Sequence, residues 1–210
     1  MEAIAWQNLP GVYTYPAYCQ MIDALLEQGK TTGHNHSPAM LHYTELNVAR
    51  MRRLDKTTKL TAASLATVKA IDRPQTWLTI TEAWCGDAAQ IIPVIELLAA
   101  ANPLLTHRLI LRDEHLDIMD VFLTNGISRA IPITIFLDTE TNAVLGSWGP
   151  RPAELQAEVQ ATQVAALTAP TPAAREAMVE LSKINTQKWY VHDKGVAIQQ
   201  EMLEALLGGV

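Results

Sequence analysis

Cys85 is the residue best placed to do chemistry in this chain. Residues 77–83, just before it, are rich in aromatic and β-branched types and predict a strand. After Gly86 the sequence turns apolar and Ala-rich and predicts a helix, taken here as 85–101. A cysteine at such a turn lies beside the unpaired N–H groups and positive dipole end of the new helix. A thiolate is stabilised there, and thiolates attack disulfides and peroxides and bind metals. The competing reading is a buried small hydrophobe, as free cysteines often are. Cys19, the other of 2 cysteines, reads as an ordinary packed thiol on a predicted helix over 18–28. Neither a disulfide framework nor a paired-cysteine zinc motif can be built from two such residues. His34, His36 and His42 stand without an obvious completing ligand and read as solvated imidazoles, so no metal and no cofactor are expected.

The elements that must position Cys85 follow from periodicity and punctuation. Residues 1–16 read as an arm anchored by Tyr13, Tyr15 and Tyr18. A second helix starts at Ser37-Pro38 as cap and first position and runs through Met51. Arg50, Arg52, Arg53 and Lys56 cluster near its end, where a helix dipole favours cations. A helix over 61–71 precedes the strand. Past Asn102-Pro103, a strand over 107–112 leads to a helix capped by Asp113, with Leu116, Met119, Phe122 and Leu123 inward and Asn125-Gly126 as its left-handed stop. Strand, helix and strand in this order imply parallel pairing. Residues 133–137 and 144–148 flank a turn-rich segment and predict an antiparallel hairpin. A helix follows Pro152, a short hinge covers 168–172, and two helices over 173–190 and 193–207 close the chain. Met202, Leu203, Leu206 and Leu207 form an apolar stripe that packs on the body, with a homodimer face as the alternative.

These landmarks resemble the thioredoxin-like superfamily. Trp84-Cys85-Gly86 matches the start of its Trp-Cys-Gly-Pro-Cys motif, and Pro93 falls at its helix-kink proline. Arg129-Ala130-Ile131-Pro132 resembles the family's Arg-Gly-Ile-Pro, whose proline is cis and faces the reactive cysteine. The chain is most similar to bacterial thioredoxin-like proteins of about this length that carry Trp-Cys-Gly-Asp. The resemblance implies an α/β fold, a central mixed sheet flanked by helices. It implies N-terminal elements over 1–58 packed on a thioredoxin-like domain over 59–167, with a helical extension over 168–210. It makes Cys85 the catalytic nucleophile, Trp84, Gly86, Asp87 and Ala88 its motif, and Ile131 and Pro132 the backbone that meets substrate. Trp148 and Arg151 fall at the family's substrate-groove loop, although a core tryptophan and a solvated arginine read equally well.

The departures bear on mechanism. Ala88 stands where thioredoxins carry the resolving cysteine, giving a Cys-x-x-Ala motif, and Thr79 stands where they bury an acid. A second thiol would expel bound substrate intramolecularly at high effective concentration, and Ala88 cannot. Asp87 either raises the Cys85 pKa by its charge or caps the first-turn N–H groups. The balance predicts a moderately acidic thiol.

Three function classes follow. The first is a single-cysteine thiol–disulfide oxidoreductase acting on a protein or small-molecule thiol or disulfide. The second is a non-redox docking module for a peptide or protein partner. The third is metal or iron–sulfur binding through Cys85 across a dimer. The formal charge of −6 argues against nucleic acid. No apolar run approaches the roughly 18–20 residues of a membrane helix, and no secretory leader is visible. A cytoplasmic protein is expected.

Overall fold

The computed structural model describes residues 3–208. A 3₁₀ turn over Trp6–Asn8 opens it, followed by α1 (Tyr15–Glu27), α2 (Pro38–Thr57) and α3 (Ala62–Lys69). Then come β1 (Gln75–Thr81), α4 (Ala88–Ala100), β2 (Leu105–Leu111), α5 (Leu116–Met119), β3 (Ile133–Asp138) and β4 (Val144–Trp148). Helices α6 (Ala153–Leu167), α7 (Pro172–Asp193) and α8 (Val196–Gly208) complete it. The sheet order is β2-β1-β3-β4, with β1 parallel to β2 and antiparallel to β3. This is the mixed sheet flanked by helices that the sequence implied.

β1 is central and covered on both faces, so residues 76–81 are all buried even though Thr79 and Thr81 alternate with Leu78 and Ile80. Trp77 stands opposite Phe136 and Thr79 opposite Thr134, so these four share one face. Trp77 and Phe136 pack edge to face at 5.8 Å, in a cluster with Ile91, Val94, Ile95 and Leu98 of α4 and Ile198, Met202 and Leu206 of α8. Leu78, Ile80, Ile110, Ile133 and Ile135 belong to a second cluster with Tyr18 and Ile22 of α1.

Several boundaries differ from the sequence reading, each for a local reason. α1 starts at Tyr15 rather than 18, because Thr14 caps the Ala17 N–H and a proline suits the first turn. β1 and β2 begin two residues earlier than expected, where Gln75 pairs with Leu105. α4 starts at Ala88 rather than 85, leaving Cys85 in the turn that precedes it. The helix expected through Leu123 stops at Met119. Leu116 and Val121 are exposed. Past Asp120 the chain tightens into turns in which the Val121 and Phe122 N–H groups reach the Ile118 and Met119 carbonyls, while the Asp120 side chain makes a two-pronged ion pair with Arg129. Leu207 is exposed, while Met202, Leu203 and Leu206 are buried.

Two long-range contacts seat the loops around the sheet. Tyr13 exchanges both backbone hydrogen bonds with Leu109, at 2.8 and 2.9 Å, and so closes the outer edge of β2. The Gly149–Pro150 and Ile131–Pro132 peptides are both cis. Gly149 has φ +136°, and a Cβ there would overlap the Pro132 carbonyl oxygen. Glycine is required, because the loop after β4 lies directly on the proline loop before β3. Replacing Gly149 by alanine is therefore expected to cost about 2 kcal/mol or more. Denaturant unfolding measures this as a lower midpoint at unchanged slope.

Candidate functional site

The turn that carries Cys85 is held from both flanks. The Ala83 N–H donates to Thr32 Oγ1 at 2.9 Å, and the Ala83 carbonyl accepts from Asn47 Nδ2 at 2.8 Å. Trp84 is half-buried, with the Arg112 guanidinium 4.9 Å over its ring. The Cys85 N–H closes the turn onto the Glu82 carbonyl at 3.1 Å.

Cys85 itself is 8% exposed. Its Sγ donates to the Ile131 carbonyl at 3.3 Å and accepts from the Ala88 N–H at 3.5 Å. Thus the thiol lies between the first N–H of α4 and the peptide carbonyl that precedes Pro132. Burial, and after it the Asp87 charge, push this thiol from an ordinary 9.0 up to about 12. The Ala88 and Asp87 N–H groups and Arg151 pull the other way and do not compensate. The expected moderately acidic thiol is therefore corrected: the helix end is present, but loss of solvent outweighs it.

Asp87 does not cap α4, since its side chain accepts no hydrogen bond from the first helical turn. One oxygen accepts from the Tyr190 hydroxyl at 2.9 Å, and the other faces Arg151 Nη2 at 2.6 Å. Arg151 also donates to Gln156 at 2.9 Å. Gln90, one turn into α4, donates to Gln187 of α7 at 2.7 Å. A Cβ on Gly86 would meet Gln187 Nε2 at 3.3 Å and Arg50 Nη1 at 3.5 Å. The motif is thus roofed by α2 on one side and α7 on the other.

Of the residues the sequence singled out, Trp84, Cys85, Gly86, Asp87, Ala88, Ile131 and Pro132 form one turn-and-loop assembly. Arg151 reaches it through Asp87. Trp148 is packed in the core cluster of Trp77 and Phe136. The sequence reading passed over Asn47, Gln187 and Tyr190. A usable signal existed for Gln90, a buried polar residue on the mainly apolar α4, whereas Asn47 is hidden among the many polar residues of α2. Tyr190 carried none, because its partner lies 103 positions away.

Thr79, at the place of the family's buried acid, sits in a hydrogen-bonded relay. Its hydroxyl bonds Thr134 at 2.9 Å and His107 Nε2 at 3.0 Å, and His107 Nδ1 meets Glu96 at 2.8 Å. Glu82 is fully buried with Oε1 on the Asp113 N–H at 3.0 Å and Oε2 unpaired. Burial raises its pKa. Cys19 and Cys85 are both free. Among the described residues no cluster of His, Cys, Asp or Glu could hold a metal ion, and no helix is long and apolar enough to cross a membrane.

A family model described as Thioredoxin matches residues 33–165, which takes in α2 as well as the sheet. A protein of unknown function from Pseudomonas aeruginosa is similar in structure, with a TM-score of 0.54 and 16% identity over 94% of this chain and 99% of that one. An HIV epitope-scaffold is similar as well, with a TM-score of 0.52 and 17% identity over 93% of this chain and 99% of that one. At such identities the likeness is one of fold alone. No curated protein matches.

The raised thiol pKa fixes the sign of a pH effect. The folded state holds the Cys85 proton more tightly than the unfolded chain does. Its contribution to stability is therefore complete below about 9 and is lost as pH rises through about 12. Relative to Cys85→Ser, wild type should lose stability across that window by up to about 1.4 kcal/mol per pH unit. Equal pH slopes for the two proteins in chemical denaturation would contradict the assignment.

Proposed function

This chain belongs to the thioredoxin family, and from that premise we propose that it is a single-cysteine thiol–disulfide exchange protein, latent while α7 covers the motif. Cys85 is its nucleophile, and Ile131 and Pro132 are the edge that meets the partner. The position of Cys85 Sγ carries this reading: an N–H of α4 on one side, and the carbonyl before a cis-proline on the other. An extended partner could replace the thiol as donor to the Ile131 carbonyl just as the sulfur is deprotonated. We place the chain with the bacterial members that carry Trp-Cys-Gly-Asp, in the cytoplasm, where unpaired cysteines are the rule.

The exchange balances without an internal second thiol. The Cys85 proton passes to solvent, and the thiolate attacks one sulfur of the partner disulfide. The other sulfur leaves as a thiolate and takes up a proton, so Cys85 now holds a mixed disulfide. One external thiol then attacks the Cys85 sulfur and releases the bound partner sulfur as a thiol. A second external thiol attacks the resulting mixed disulfide, so that the two external thiols leave as their own disulfide and Cys85 is restored. Ala88 supplies nothing to shorten the intermediate's life. With the thiol pushed up to about 12, very little thiolate exists near neutrality. Withdrawal of the Gln187–Tyr190 end of α7 would readmit water to the motif and lower that barrier.

A second reading, a non-redox docking module, is favoured by the burial of Cys85 and by Thr79 standing where the family buries an acid. One experiment separates the two. Wild type, Cys85→Ser, Cys19→Ser and Gln187→Ala are treated with glutathione disulfide and weighed intact over time. Exchange predicts one persistent adduct that requires Cys85 and not Cys19, forming about tenfold faster when Gln187 no longer ties α7 to Gln90. Absence of an adduct in every variant, while a model thiol reacts, would leave the docking module standing.

A further inference from the structure

Three arginines ring the motif, and their partners differ. Arg112 lies over Trp84 and pairs with Asp113, and Arg151 pairs with Asp87. Arg50 has no carboxylate partner among the described residues. Yet it is not a free surface side chain. Its Nη1 donates to Asn47 Oδ1 at 2.7 Å, and Asn47, itself 1% exposed, donates to the Ala83 carbonyl. The guanidinium is therefore pinned to the backbone that leads into Trp84 and Cys85, and it overlooks Gly86.

Neither ordinary explanation for Arg50 applies. The helix dipole acts in the last turn of α2, where Lys56 is the basic residue, and Arg50 stands well inside the helix. Asp87 is the nearby charge, but both of its oxygens are taken by Tyr190 and Arg151. Burial and the like charge of Arg53 both lower the Arg50 pKa, and Asp87 offsets them only in part. A fixed, half-buried cation with donors to spare stands beside Gly86, the residue after Cys85, in a chain whose net charge is −6.

We propose that Arg50 is the specificity residue of this site, receiving a carboxylate of a small acidic thiol peptide whose sulfur meets Cys85. A guanidinium offers paired donors that match a carboxylate. Gln187 Nε2, on the other side of Gly86, adds a donor for a ligand peptide carbonyl. The sulfur half of this assignment rests on the exchange reading, whereas recognition of the carboxylate rests on Arg50 alone. The two can fail separately.

The binding test uses S-methylglutathione, which cannot exchange, and its diester, which lacks the carboxylates, titrated by calorimetry into the full chain. Wild type is expected to bind the acid at least about tenfold more tightly than the diester. Arg50→Gln should lose that preference and Arg50→Lys retain part of it. Equal binding of acid and diester by wild type, or no binding of either, overturns the proposal whatever Cys85 does. That comparison needs no variant and so does not depend on how Arg50→Gln folds. Exchange is then read with the dianionic disulfide 5,5′-dithiobis(2-nitrobenzoate) and the neutral 4,4′-dithiodipyridine. The Arg50→Gln change should slow the first by about tenfold relative to the second. An equal slowing of both would assign Arg50 to structure alone and reject the proposal. If acid-selective binding survives while Cys85 reacts with neither disulfide, the exchange reading fails and the carboxylate site stands.

Discussion

A buried carboxylate must find partners, and the one on Asp87 governs the arrangement of this protein. It sits directly after the Cys85-Gly86 turn, 8% exposed, where an unpaired charge would cost several kcal/mol. Its two oxygens take a hydroxyl from α7 and a guanidinium from the loop after β4. The first helix turn cannot supply equivalent satisfaction, because those N–H groups are aimed at the sulfur and at the turn's own carbonyls. One aspartate thus ties the front of α4 to two segments much later in the chain, and the C-terminal helices become part of the motif's wall.

That tie also sets the character of the thiol. The same carboxylate that recruits Arg151 and Tyr190 raises the cost of a second negative charge beside it, and the roof it recruits removes the water that would solvate one. Beneath the sheet face, the Thr79–His107 pair takes the position of the family's acid. Helix-end stabilisation survives as geometry but is outweighed as energy. The result is a family architecture whose Cys85 thiol is held towards its neutral form.

The central unit was legible in the sequence because its signals are local. A β-branched run, a cysteine at a turn, an apolar Ala-rich helix with Pro93 and a hairpin with a polar tip all declare themselves within a few residues. The parallel β1–β2 pairing followed from the helix between them. What escaped was settled at a distance. Leu116 to Leu123 carry helical spacing, but after Asp120 the backbone tightens into 3₁₀-like turns and the helix ends early. Asp87 looks like a cap in isolation and becomes an ion-pair partner only when Arg151 and Tyr190 arrive. Arg50 looked like a dipole counter-charge near a helix end, and the longer observed helix places it at the motif instead.

The Tyr13–Leu109 bridge has a consequence for how the molecule keeps to itself. β2 is an outermost strand, and its free backbone edge would be a template for another chain. Here the N-terminal arm supplies one such pair, Tyr13 with Leu109, from within the same molecule. Because the patch is intramolecular, it is present at any dilution and competes with an intermolecular strand at high effective concentration. Proteolytic loss of the arm through Tyr13 would therefore expose the backbone of Leu109 at the rim of the sheet.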